Sequence, residues 1–294
     1  MRDAAGSIYD LGYQGYAGPR LGRRHAAWTM YVHSMRLIFG IGRPFSSKIA
    51  PWLLLGATYM PAVVQVGVSS ISNSEDIELI KPEEYYKYIQ IVLAIFVAVI
   101  APELAGRDQR SRTLSLYFSR ALSREDYALA KYFALVTALL ALTLGPQLLM
   151  FIGNGVALDD LGGYAEDQWN DIPAAAASAI LISALFSGVA LAISSQTSRR
   201  AYSTIAIVAL LVVSSVIAIS MVESLEGNAG RYSILISPLQ LADGLTFWFF
   251  GATDQPEEPT AVADIWGGAY ALVAAAVSVV CALIVVHRYR TIDA

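Results

Sequence analysis

Charge is what this sequence has least of. Asp, Glu, Lys and Arg make up 15% of its 294 residues, against roughly 25% in soluble domains. There is one cysteine, Cys281, so the chain can form no internal disulfide and no cysteine-built zinc site. The three histidines, His25, His33 and His287, make no His-Glu-x-x-His pair. No Gly-Lys dipeptide occurs, because Lys48, Lys81, Lys87 and Lys131 follow Ser47, Ile80, Tyr86 and Ala130. A phosphate-binding loop requires that pair, so the chain cannot hold ATP in that way. Residues 1–48 contain no apolar core of the length a signal peptide needs, and none is predicted.

What is abundant is apolar surface: 56% of residues are hydrophobic. The sequence predicts an all-α integral membrane protein. The stretches between charged residues mark the spans. Lys48–Glu75, Lys131–Asp159, Asp171–Arg199, Arg200–Glu223 and Asp264–Arg288 enclose 26, 27, 27, 22 and 23 uncharged residues. A helix crossing the hydrocarbon needs about 20. Lys87–Glu103 encloses only 15, but Tyr85, Tyr86 and Tyr88 suit an aromatic belt while Lys87 snorkels. Six transmembrane helices follow, near 49–70, 86–105, 132–153, 173–195, 201–221 and 265–286.

An even number of spans puts both termini on one side, and charge says which. The segments before span one, between two and three, between four and five, and after six hold 7, 6, 2 and 2 Lys or Arg, which is 17 of 20. The other side holds 17 of the 24 acids. By the positive-inside rule both termini are expected in the cytoplasm.

Ahead of the spans, residues 1–25 show no period and read as a cytoplasmic tail. Residues 26–48 read as an interfacial helix, amphipathic over 26–43. Trp28, Tyr31, Val32, Met35, Ile38 and Phe39 share one face, with His33, Arg36 and Arg43 off it. Between spans five and six, the region 232–254 is apolar up to Thr253 except for Asp243. Its uncharged pieces, 11 and 10 residues, are too short to cross, so it forms either a re-entrant hairpin or a small outer cap. Pro51 and Pro173 suit first turns of helices, whereas Pro61 and Pro146 fall inside spans and kink them.

The stretch that points hardest at function is Glu103–Lys131, between spans two and three. It carries Arg107, Arg110, Arg112, Arg120, Arg124 and Lys131, and an apolar set in which Leu114, Tyr117, Phe118 and Leu122 recur at offsets of three and four. As one helix it has an apolar face opposite a charged one. It then either lies on the membrane surface or offers the apolar face to a partner's groove. Glu103 pairs with Arg107, one turn on, in the plainest reading. No acid or base sits deep in a span, so the usual carriers of an ion-coupled pump are missing.

In order along the chain, an amphipathic helix before span one, a basic loop after span two and a short basic loop after span four resemble a type-2 ABC transporter permease. This is the membrane subunit of many bacterial exporters. The carrying residues are Glu103, Arg112-Thr113-Leu114, Ser119-Arg120-Ala121-Leu122-Ser123-Arg124 and Ala130-Lys131. Ala121 stands where the family usually has proline, and Ala130 where it has glycine. The opening 9–23 resembles actinobacterial members, and 194–203 and 237–245 are similar to family positions. The resemblance covers almost the whole chain.

It implies a domain of six spans over 49–290 in a bacterial cell membrane, with an ATPase-coupling segment at 106–130. The coupling residues would be Glu103, Arg112, Leu114, Tyr117, Phe118, Arg120 and Arg124. It implies no catalytic residue, metal or cofactor on this chain; ATP and Mg belong to a separate cytoplasmic ABC ATPase. A second copy, or a similar permease, completes a path lined by spans two and five. Apolar spans with scattered Ser, Thr, Gln65 and Gln147 favour a hydrophobic or amphiphilic cargo, and nothing suggests nucleic acid. Two readings compete: an ATPase-coupled regulator that transports nothing, and a membrane enzyme acting on lipid. The second lacks a histidine on the acidic side to work with its carboxylates.

Overall fold

The structure is a computed structural model that describes residues 18, 21–72, 80–111, 114–118, 122–157, 161–225, 227–252 and 258–291. Among these residues there is helix and no strand. Backbone amides in hydrocarbon must be satisfied within their own segment, and helices do this without a partner.

The helices are α1 (Gly22–Ile38), α2 (Ser46–Ser72), α3 (Tyr85–Arg110), α4 (Leu114–Phe118), α5 (Arg124–Ala157), α6 (Leu161–Asp167), α7 (Asp171–Gln196), α8 (Arg200–Val208), α9 (Ser214–Ser224), α10 (Asn228–Ser233), α11 (Pro238–Phe250), α12 (Pro259–Ala263) and α13 (Gly267–Thr291). Among the described residues, six helical stretches are long and apolar enough to cross a membrane: α2, α3, α5, α7, α8 continuing into α9, and α13. They fall at the six expected places, and most run further. Span two continues to Arg110, and span three begins at Arg124, so both enter the basic stretch between them. Ser123 sets the start of α5: its Oγ accepts the Asp126 amide at 3.1 Å, an N-terminal cap.

Span five is interrupted. A π-helical turn, Ala209–Val213, joins α8 to α9 with no proline or glycine to cause it. Proline positions also differ from expectation in one case. α2 begins at Ser46, so Pro51 lies inside the helix with Pro61, while Pro173 does fall in the first turn of α7.

The core is packed where α7 meets α3, α5, α11 and α13. Phe96, Leu135, Leu139, Ile182, Leu185 and Phe186 are fully buried there. Tyr85 and Tyr86 are fully buried as well, which corrects the expected belt position; only Tyr88 faces outward. Each buried hydroxyl has a carbonyl on a neighbouring helix, Tyr85 on Thr58 and Tyr86 on Ala175 at 2.9 Å. That satisfies the polar end and lets the rings go inside. Lys87 does not snorkel alone but pairs with Glu258.

α1 is shifted and turned relative to the expected interfacial helix. It ends at Ile38, and its inward residues are Met30, Ser34 and Ile38, while Trp28 stays exposed. The helix packs along α5, with Tyr31 Oη donating to Thr137 Oγ1 at 3.1 Å. The chain then reverses at Gly40, where φ is +66° and a Cβ would sit 2.8 Å from the Ser47 carbonyl oxygen. Only glycine fits both conditions.

The apolar stretch before span six forms two short helical pieces, Asn228–Ile236 and Pro238–Phe250, bent by 99°. Ser237 caps the second, accepting from the Gln240 amide at 3.3 Å, with Pro238 in the first turn. Gly251, at φ +64°, ends it in the left-handed conformation. At about 1.5 Å per residue α11 is too short to span a ~30 Å core. It is instead inserted among α3, α7 and α13, with Leu239 to Thr246 buried. Close approach to α13 depends on Gly244, whose Cβ would lie 2.5 Å from the Tyr270 ring.

Gly244→Ala is therefore expected to lower stability by about 1–3 kcal/mol through overpacking. Gly56→Ala, where a Cβ meets nothing within 4 Å, should be neutral. Thermal unfolding of both variants in one detergent checks the difference.

Candidate functional site

The end of the bundle where the arginines gather is built from the last turns of α3, the short α4, the start of α5 and the end of α13. Tyr127, fully buried, is at its centre. Three rings and a carboxylate meet it. Tyr117 and Phe118 of α4 bring their rings to 5.9 and 5.6 Å, and Tyr289 of α13 to 5.0 Å. The Tyr127 hydroxyl donates to Asp108 Oδ2 of α3 at 2.6 Å.

The same carboxylate oxygen accepts from Lys131 Nζ at 2.6 Å. Lys131 is buried, donates also to the Leu104 carbonyl, and lies 4.4 Å from the centroid of the Tyr127 ring. A buried ammonium is tolerable only when neutralised and hydrogen-bonded, and here it is both. Asp108, Tyr127 and Lys131 thus lock span two to span three. Tyr289, donating to the Ala105 carbonyl at 3.3 Å, adds span six.

Further contacts tie in the flanks. Arg124 lies 5.3 Å from the Phe118 ring centroid and donates to the Arg290 carbonyl at 2.6 Å. Arg290 pairs with Glu125 at 2.8 Å. Arg23 of α1 reaches Asp126 Oδ1 at 2.9 Å. The turn between α7 and α8 is held by Gln109 and Arg288 on the Ser195 carbonyl, and by Arg110 on that of Ser198. Between α1 and α4 a cavity of about 440 Å³ is lined by His25, Thr29, Met30, His33, Tyr117 and Leu122. Burial, reinforced by the Asp108 carboxylate, pushes the Tyr117 phenol above its usual range, so it stays a neutral hydroxyl.

Of the residues singled out from sequence, Leu114, Tyr117, Phe118 and Arg124 lie together in this region. Arg112 and Arg120 fall outside the described residues. Glu103 stands apart and does not pair with Arg107: its partners are Arg200 at 3.0 Å and Arg110 at 3.7 Å. It joins span two to span five. The single amphipathic helix expected over this stretch is not there either. α4 has five residues, and Leu122 lies beyond it. Its apolar side is largely spent on its own chain, since Leu114 and Leu122 are buried and Tyr117 and Phe118 half-buried. A helix this short is stable only when packed, so its apolar side turns inward.

Sequence reasoning did not single out Asp108, and it took Lys131 only as one of the six basic residues of the stretch and as part of the family resemblance. It also passed over Asp243 of α11, which is buried and accepts from Gln90 Nε2 of span two at 3.5 Å. An acid in a 22-residue apolar stretch was the available signal. Among the described residues no group of histidine, cysteine and acids could hold a metal ion.

Lys131→Met leaves Asp108 buried without its cation and is expected to cost about 3–5 kcal/mol. Adding Asp108→Asn should recover part of that loss. Detergent thermal melts of the two single variants and the double variant measure the coupling. Compared with known proteins, the chain matches no family model and no curated protein.

Proposed function

We propose that the chain is the membrane permease subunit of an ATP-driven exporter, working with a second permease chain and coupled to a separate cytoplasmic ATPase. The observation that carries this reading is α4. It is a short helix outside the spans, resting on Tyr127, and Tyr127 connects through Asp108, Lys131 and Tyr289 to spans two, three and six. A push on α4 is delivered to three spans at once. Rigid elements linked by packed rings and buried ion pairs transmit such displacement without dissipating it in loops.

The cavity between α1 and α4 suits a partner's side chain, with the half-buried Tyr117 on its wall. Charge asymmetry supports a cytoplasmic position for this end and for both termini. ATP and Mg are bound by the partner, because the chain has no Gly-Lys pair to hold them. Exposed Leu210 and Val213 in the π-helical turn and Ile217 on α9 offer a face for the second permease chain. Glu103–Arg200 then relays movement of span two to that face. The cargo path between the two copies is apolar, as an amphiphilic solute requires.

Two experiments test this reading. Purified in a mild detergent from its own host, the tagged chain should bring a near-stoichiometric P-loop ATPase. Tyr117→Asp with Phe118→Asp should lose that partner while the membrane level is unchanged; retention of the ATPase by the double variant rejects the interface, and a wild-type chain that purifies alone rejects the coupling. For orientation, Cys281→Ala removes the only thiol. Single cysteines at Ser74 and Ser198 should then be labelled by an impermeant maleimide from the outside and only after lysis, respectively.

A further inference from the structure

A second polar feature at the arginine-rich end is independent of α4. Where the end of α1 and the start of α2 approach α8 over α3, there is a cavity of about 250 Å³. Admitting one water takes roughly 10–15 Å³, so the space suits a much larger group. Val99, Ile100, Ala50 and Pro51 form apolar parts of its wall, and Arg43, Ser46, Ser47, Glu103 and Arg200 the polar parts.

Arg43 Nη2 is buried and has no hydrogen-bond partner. The rest of the side chain is half-buried, but an N–H shut from water without an acceptor keeps its full desolvation cost. The one acid on the wall is already engaged, since Glu103 holds Arg200 at 3.0 Å and Arg110 at 3.7 Å. Two arginines against one glutamate leave the wall with a single positive charge. A phosphodiester carries the matching single negative charge, and a guanidinium fork fits phosphate oxygens bidentately.

The surroundings identify the source of that phosphate. Beside the cavity, Phe45, Ile49, Trp52 and Leu53 are exposed at the start of span one, and Tyr202 and Ile205 at the start of span five. Trp52 Nε1 donates to the Phe39 carbonyl at 3.2 Å, the posture of an indole at a membrane boundary. A polar pocket therefore sits directly where lipid-facing helix surface begins.

We propose that this cavity binds the phosphate of an anionic phospholipid, with Arg43 as its primary ligand, Arg200 as a second cation and the acyl chains lying on α2 and α8. Basic pockets between spans at a membrane interface take lipid headgroups in this way. The proposal requires only that these helices lie in a bilayer, so it stands or falls separately from ATPase coupling.

The test uses the full chain, stripped of lipid in a maltoside detergent and followed by thermal unfolding. Mixed micelles with phosphatidylglycerol should raise the wild-type melting temperature saturably. Diacylglycerol and inorganic phosphate at the same concentrations should not. Arg43→Gln should weaken the apparent affinity about fivefold or more, the effect of one interfacial arginine. Ser47→Asp, at the exposed rim and clear of buried packing, should do the same and serves if Arg43→Gln does not fold. Arg36→Gln, an exposed arginine on α1, should titrate as wild type. An equal response to inorganic phosphate overturns the lipid assignment in favour of a simple anion pocket. No wild-type response, or wild-type titration by both Arg43→Gln and Ser47→Asp, overturns the site.

Discussion

Hydrocarbon offers no partner to a backbone amide, and every level of this structure follows from that constraint. It makes the chain helical where it crosses. It also restricts polar side chains to places where a neighbouring helix can answer them. Tyr85 and Tyr86 enter the core because carbonyls of α2 and α7 accept their hydroxyls. Thr143 and Ser183 face each other at 3.4 Å between spans three and four for the same reason. α11 enters the bundle because Ser237 and Gly251 close its ends, where a frayed helix would leave bare amides and carbonyls.

Charges obey the rule more strictly. Lys131 is tolerated because Asp108, the Leu104 carbonyl and the Tyr127 ring surround it. The cluster this creates is stiff: several aromatic rings and an ion pair join α3, α4, α5 and α13. Our functional reading uses that stiffness, because a short helix resting on a rigid cluster transmits motion that a loop would absorb. Arg43 is the exception within the same end of the bundle. The side chain is half-buried, and its Nη2 is buried without an acceptor, which is why its cavity reads as a place for an anion from outside the chain.

Several details were hidden in the linear pattern for identifiable reasons. Leu114, Tyr117, Phe118 and Leu122 have helical spacing, yet Leu122 is not helical and Ser123 starts another helix. Periodicity cannot say where one short helix yields to the next cap. Glu103 has Arg107 one turn on, yet it reaches across to Arg200, because a pairing along one helix competes with pairings across the bundle. On α1, Met30 and Ser34, off the expected face, are buried with Ile38 while Trp28 stays exposed, since the rotation of a helix is fixed by what it packs against.

The solvent, the number of crossings and the segregation of charge are legible in one dimension, because they depend on runs of residues long enough to match a bilayer. The sequence also marked the interrupted stretch before span six, since pieces of 11 and 10 uncharged residues cannot cross. Which polar groups meet is a matter of how the helices pack. Asp108 finds Lys131 across 23 residues, Gln90 finds Asp243 across 153, and Arg23 finds Asp126 across 103. Those meetings depend on the rotation and relative height of packed helices, quantities set by side-chain interlocking and absent from any one-dimensional pattern.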